Sequence, residues 1–423
     1  MSKDEVHAVA QAASEAGCPH FEGYEPLSPE ELRDPYPSFS RARRETPVFY
    51  SPEFKMYSVT RQDDINGVLR DKENFSASVA LPTHDPPEEV RERMPAFPWK
   101  GGVLTLDEPE HRRARNLIQA PLTPRNLRER EADLAQRADR LLDKLERERE
   151  IEFVKDYGFP LSLATIASII GVPEEEFDMV TRATDATFRV LSAGITGASH
   201  EEEVVAAEEV SEVVEYASKL IEERRREPQD DYTSVMLGLT YEDGSRPTTQ
   251  DITTRLFDLL LAGFETSAQM MSHGVATILQ HPDQWELLKA DPELIRDAVE
   301  EMLRYRTLVK RIFRLALNDV EIGGVTVPAG SMVCLVLGSG NHDEAAYEDP
   351  ERFDISRGRV DHLAFGRPIH FCVGAPLARI QIRITIEALI RRFPDVVFVE
   401  QEEGPPDIRI HTVGAVRLAL PPA

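Results

Sequence analysis

The chain has 423 residues, with 75 Asp and Glu against 49 Lys and Arg, a formal net charge of -26. A surface that acidic repels phosphate backbones and anionic lipid heads, which excludes nucleic acid and a membrane surface as main partners. Hydrophobic residues make up 41% of the chain, enough for a sizeable core; with no apolar leader and no run of roughly 18 apolar residues, no membrane anchor is expected and the reading is cytoplasmic.

Residues 1–20 read as a flexible arm, and 21–423 as one domain, since no internal repeat or Gly/Ser linker divides them. Val48 to Tyr50 and Met56 to Val59, joined through Ser51-Pro52-Glu53, predict a hairpin. The Pro-rich, charged stretch from Ala80 to Gly102 predicts a long loop, of a length that often serves as a lid. From Pro109 to about Gln280 the periodicity is helical, with Glu201 to Arg226 patterned as a solvated amphipathic helix. The longest helix is predicted from Thr249 to about Gln280; its apolar middle, Leu259 to Phe264, belongs in the core, and Asp258 is the acid just before that run. Asp291-Pro292-Glu293 opens a further helix. After Arg304 come short Val-rich runs, Val320 to Ile322, Val325 to Val327 and Met332 to Leu337, which read as strands. A last helix is predicted over Ala375 to Phe393, then terminal strands over Val396 to Val399 and Ile408 to Leu420. The fold class is mainly α with small β-sheets, an α+β architecture.

The chain has three cysteines, Cys18, Cys334 and Cys372, with no CxxC pair for zinc or dithiol redox work. Cys372 has unusual surroundings. Gly374 and Pro376 mark a helix start just after it, which directs backbone N–H groups and the positive end of a helix dipole toward the sulfur, conditions that favour a thiolate. Phe365 and Phe371 flank it, and the window from His362 to Ile386 contains three arginines, Arg367, Arg379 and Arg383, and no acid. The plain alternative is a buried structural cysteine at a helix start.

Phe365, Cys372, Gly374, Leu377, Ala378 and Arg379 resemble the haem-binding signature of the cytochrome P450 family, whose haem iron is held by a Cys thiolate. Pro368 departs from that signature, standing where a second glycine is usual. Ala262-Gly263-Phe264-Glu265-Thr266 resembles the family's oxygen-activation motif, and Glu301-Met302-Leu303-Arg304 its ExxR motif, with Arg352 at the position of the third member of a bracing network. His111 with Arg115, Arg314 and His370 match positions that hold the haem propionates. His342 stands where Arg is frequent, and Thr307-Leu308 replaces a Pro-containing element.

The resemblance implies a mainly α P450 fold enclosing one haem b, with Cys372 as iron ligand and Glu265 and Thr266 delivering protons. It also implies insertion of one oxygen atom from O2 into a hydrophobic small molecule. Electrons would come from a separate ferredoxin or flavodoxin, since the chain carries no flavin or iron–sulfur signature, and the arginines around Cys372, with Arg112 and Arg113, would offer a basic docking patch. By family position the substrate meets the Ala80 to Gly102 loop, Phe188, Leu191, Leu261 to Phe264, Leu308, Val309 and the Val413-Gly414 turn. Lys310 or Arg311 could anchor a carboxylate if either pointed inward, but both are expected to point outward. Alternatives are a peroxygenase or a rearranging enzyme on the same fold, a haem-based sensor or carrier without turnover, and a haem-free helical binding protein.

Overall fold

The computed structural model describes residues 18–81, 88–93, 101–196 and 199–421. Most of the expected N-terminal arm lies outside them. They fall into two compact units: the described residues of Met1–Ala80 with Ala138–Tyr157 and Gln269–Ala423 form the first, and those of Leu81–Arg137 with Gly158–Ala268 the second.

Among the described residues the first unit holds every strand. These are β1 (Val48–Ser51), β2 (Met56–Val59), β3 (Phe75–Ser76), β4 (Glu150–Glu152), β5 (Ile312–Ala316), β6 (Val320–Ile322), β7 (Val325–Val327), β8 (Met332–Leu335), β9 (Val397–Glu403) and β10 (Val413–Ala419). The main sheet has the order β1-β2-β8-β5-β3. Its hairpin pairs Val48 with Val59 and Tyr50 with Tyr57, as the two apolar runs predict. Strand β5 escaped the sequence pattern because a charged residue, Arg314, sits at its centre; it is paired there with Val333 of β8 and buried. Gly323 and Gly324, both at positive φ, make the two-residue turn between β6 and β7, a conformation that suits glycine. In the sheet β4-β10-β9, β9 runs on past the expected Val399 to Glu403, and β10 starts later than expected, at Val413. The run from Ile408 does not enter β10 directly: Arg409 O accepts from Lys310 N at 2.7 Å, and Val309 and Ile410 form a lone bridge.

The second unit is helical. His200–Arg226 starts with a capping box: Ser199 Oγ accepts from Glu202 N, and the Glu202 carboxylate accepts from Ser199 N at 2.7 Å. Its buried residues Ala206, Val210, Val213, Ala217 and Leu220 recur at helical spacing, so one stripe packs and most of the acids, Glu203 excepted, face solvent. The long helix spans Thr249–Leu279, 31 residues. It opens on a reciprocal cap between Thr248 and Asp251, with Thr248 N donating to Asp251 at 2.9 Å and Asp251 N to Thr248 Oγ1 at 3.1 Å. Its residues through Ala268 belong to the second unit and those from Gln269 to the first. The stretch expected to be a loop from Ala80 to Gly102 contains a helix, Glu88–Arg93; its residues 82–87 and 94–100 lie outside the described ones. Among the described residues no helix is long and apolar enough to cross a membrane.

Candidate functional site

In the first unit, Cys372 ends a turn closed by its own N–H, which donates to Phe365 O at 2.9 Å. Gly366 makes the bend with φ of 67°, and its N–H donates to Leu363 O at 2.8 Å. Pro368 lies inside this turn, so its missing N–H leaves both bonds intact. The helix Ala375–Arg392 begins immediately after Gly374 with Pro376 in its first turn, as the sequence predicts. Cys372 is exposed, whereas Cys18 and Cys334 are buried. A β-carbon on Gly374 would lie 3.8 Å from Cys372 Sγ, in contact with it; glycine keeps that side of the sulfur open. His370 is half-buried in the same turn, and Arg314, on β5, is buried with Nη1 donating to Phe313 O at 2.8 Å.

The turn is braced from outside. Phe365 and Phe371 meet edge to face at 6.2 Å, and the Arg379 guanidinium lies 4.6 Å above the Phe365 ring. Arg379 is held by both oxygens of Glu300, at 2.6 and 2.8 Å, and His362 Nε2 lies 3.1 Å from the same carboxylate. Burial alone would raise the Glu300 carboxyl, but the bonds from Arg379 and His362 outweigh it and hold it at about 2.

Glu301 and Arg304 form a bidentate pair at 2.7 and 2.8 Å, both essentially without solvent contact. Arg304 also donates to the carbonyls of Asn341 at 2.9 Å and Pro350 at 2.8 Å. Asn341 Oδ1 in turn accepts from Leu363 N at 2.6 Å, so the pair reaches the Cys372 turn through one amide. The expectation for the third member is corrected. Arg352 contributes only its backbone carbonyl, 3.2 Å from Arg304 Nη2, while its side chain is 61% exposed. The guanidinium that completes the cluster is Arg357, whose Nε donates to Glu301 Oε1 at 3.1 Å. His342 is buried at its departure position, Nδ1 3.0 Å from Glu351 and Nε2 3.1 Å from Tyr305 O. Thr307, in the pair that replaces a Pro-containing element, donates to Arg304 O at 3.0 Å and accepts from Asn341 Nδ2 at 2.6 Å, so it joins the network.

Lys310 and Arg311 do not point outward. Lys310 Nζ lies 3.4 Å from Leu32 O, and Arg311 donates to Ile408 O at 2.6 Å and to Tyr24 Oη at 3.1 Å. Burial lowers Lys310 to about 8. The arginines proposed for docking are compensated by acids, some local in sequence and some brought up by the fold: Arg367 by Asp361, Arg379 by Glu300, Arg383 by Glu387, Arg112 by Glu108 and Arg113 by Asp243. An acid-free window in the sequence is thus no acid-free patch in space.

In the second unit, His111 and Arg115 lie one turn apart on the helix Glu110–Gln119. His111 is buried, and burial, with the Arg115 charge beside it, lowers its pKa. On the long helix, Thr266 Oγ1 donates to Ala262 O, one turn back. Ser162 Oγ donates to the neighbouring Phe264 O at 2.6 Å. Gly263 permits the close approach of the helix Phe159–Ile170, since a β-carbon there would sit 2.9 Å from Ile166 Cδ1. Glu265 is half-buried beside Thr266. The side chains of Phe188 and Leu191 lie outside the described residues.

Asp258 has a structural task that the sequence did not disclose. It pairs with Arg255 at 3.1 Å and accepts from Val103 N at 3.2 Å, while Arg255 donates to Gly101 O, which ties the segment after the 94–100 stretch to the helix. Burial raises Asp258 from 3.8 to about 6, against the pull of Arg255. An acid raised on folding binds more protons than its unfolded counterpart between those values, so its contribution to stability falls as pH rises from about 4 to about 6. Asp258→Asn lacks this slope. Urea midpoints should therefore show the variant gaining on the parent protein across that window and running parallel to it above pH 7; a constant difference would contradict the assignment.

A family model described as Cytochrome P450 matches residues 53–422. The chain is 35% identical over 369 residues to nocardicin C N-oxygenase of Nocardia uniformis subsp. tsuyamanensis, covering 85% of this chain and 88% of that protein. It is 34% identical over 367 residues to vitamin D(3) 25-hydroxylase of Pseudonocardia autotrophica, covering 86% and 87%. Among solved structures, P450BioI in complex with hexadec-9Z-enoic acid ligated acyl carrier protein matches with a TM-score of 0.83 at 28% identity, over 93% of this chain and all of that one.

Proposed function

The chain belongs to the cytochrome P450 family, whose members are haem-thiolate enzymes using haem b, and on that premise we propose a monooxygenase acting on a hydrophobic small molecule, with electrons from a separate ferredoxin or flavodoxin. The observation that carries the reading is the placement of Cys372: an exposed thiol at the start of an 18-residue helix, in a turn closed by its own N–H, with the two other cysteines buried. Haem iron would take one strong donor from the protein, and a helix N-terminus supports the thiolate form of such a donor. The donor set fits haem.

When bound, haem b supplies the iron at which dioxygen is reduced by two electrons and two protons, one oxygen entering the substrate and the other leaving as water. The chain's own residues have the remaining tasks. Cys372 Sγ would hold the iron as a thiolate. His111 and Arg115 in the second unit, and Arg314 and His370 in the first, are the residues that would hold the propionates by charge and hydrogen bonds. Thr266 passes a proton from its hydroxyl and is replenished from Glu265, one residue away on the same helix. Glu301, Arg304 and Arg357 hold the backbone on which the Cys372 turn rests. The residues at substrate-contact positions, Leu261, Phe264, Leu308, Val309 and Val413, are apolar, which suits a substrate recognised by burial. With Lys310 and Arg311 committed to Leu32 O, Ile408 O and Tyr24, neither is offered as a carboxylate anchor.

The test is oxidation of a panel of apolar probes (a steroid, a secosteroid and a fatty acid) under reductant, a ferredoxin with its reductase and dioxygen, against peroxide alone. Product that requires reductant and dioxygen supports the reading; product with peroxide only overturns it in favour of a peroxygenase. Thr266→Ala should keep electron consumption within about twofold while product per electron falls by an order of magnitude or more and hydrogen peroxide appears instead. Unchanged coupling in that variant would remove Thr266 from proton delivery.

A further inference from the structure

Three residues after Thr266, the long helix carries a buried amide that bonds an edge of the β10 sheet. Gln269 Oε1 accepts from Val413 N at 2.8 Å and Gln269 Nε2 donates to Val413 O at 3.2 Å. A single side chain thereby does for Val413 what a neighbouring strand does for a residue in a ladder. The need for it is local. The pairing of β10 with β9 slips between Val413 and Ala415, which leaves Gly414 as the extra residue of a bulge. Gly414 is fixed in turn, because a β-carbon there would stand 2.9 Å from Glu403 O.

One turn further along the helix, buried His273 Nε2 lies 2.7 Å from His411 O, and the two imidazoles are 4.9 Å apart. His411 N donates to Leu308 O at 2.7 Å, and Val309 bridges to Ile410. Residues 411 to 413 are thus laced to the helix through Gln269 and His273, and to Leu308 and Val309 on the other side. Burial, with the neighbouring His411, lowers His273 to about 3, so the lacing holds with a neutral imidazole.

We propose that Gln269 is the positioning residue that sets substrate selectivity: its amide fixes the Val413-Gly414 turn against the helix, and through His411 the Leu308-Val309 edge as well. The proposal rests on the substrate-contact roles assigned above to those four residues. Gln269 itself touches backbone only, so it is no catalytic residue.

The experiment uses the haem-loaded full chain and two iron-binding probes, imidazole and 4-phenylimidazole, followed by the Soret shift of the ferric protein. The readout is the ratio of their dissociation constants, which general loosening of the fold does not move. In Gln269→Leu, imidazole should bind within about twofold of the parent value while 4-phenylimidazole weakens by roughly five- to tenfold, the scale of losing one or two hydrogen bonds that preorganise the lining. Hydrogen exchange at the Val413 amide should quicken at least about tenfold in the same variant. Gly414→Ala, which leaves Gln269 in place and crowds Glu403 O, should shift the ratio in the same direction. A ratio equal to the parent's in both variants, with Val413 exchange accelerated, overturns the proposal. A native protein that takes up no haem fails at the first step and overturns the monooxygenase reading beneath it.

Discussion

Glu301→Ala is expected to destabilise the protein by about 3–5 kcal/mol, enough to threaten the folded state of a domain whose margin is typically roughly 5–15 kcal/mol. The reason is the geometry of charge. Glu301 is 1% exposed and accepts from Arg304, Arg357 and the backbone N–H of Asp354. Removing it takes away the carboxylate that both guanidinium groups share, one of them fully buried. Arg352→Ala is the contrasting variant. Its side chain is largely exposed and its link to the cluster is a backbone carbonyl that alanine retains, so its cost should stay within about 0.5 kcal/mol. Urea unfolding of both variants, with haem content measured alongside, checks the pair. Equal losses would return the third place in the cluster to the Arg352 side chain.

The second large effect is at the sulfur. Cys372→Ser replaces a soft, ionisable donor with a hydroxyl that stays protonated, and product formation should fall by more than the roughly 10–100-fold that loss of an outer-shell partner costs a metal site. The other thiols offer controls within the same chain. Burial pushes Cys334 up to about 11 and raises Cys18 as well, so neither has thiolate character at neutral pH. Cys18→Ser and Cys334→Ser should keep the iron's spectrum while altering stability only. A variant at 334 or 18 that abolishes the thiolate signature would move the ligand away from Cys372.

What could be read from the sequence was what is local along the chain. The start of the helix after Cys372, the i,i+3 pairing of Glu301 with Arg304, and the apolar middle of the long helix all depend on neighbours within one or two turns. What could not be read depends on partners brought up from far away. Two arginines, Arg352 and Arg357, lie close together in one loop, and only the fold decides which guanidinium turns toward Glu301. Lys310 and Arg311 looked like surface charges, yet both are buried against the Pro29–Arg33 helix and its flanks, with carbonyls and the Tyr24 hydroxyl as partners. The acid-free window around Cys372 suggested a positive patch, yet Asp361 and Glu387 just outside it pair with Arg367 and Arg383, and Glu300, distant in sequence, pairs with Arg379. Gln269 and Arg255 gave no signal at all, since a polar residue on a helix announces a partner only when the opposing backbone is in place.

The measurement closest to the central claim is the absorption spectrum of the native, haem-loaded protein, reduced and exposed to carbon monoxide. Ligation by the Cys372 thiolate predicts the strongly red-shifted Soret band peculiar to sulfur-bound haem, lost in Cys372→Ser and kept in Cys334→Ser. A native band at the position given by histidine or by water as the axial partner would contradict the account.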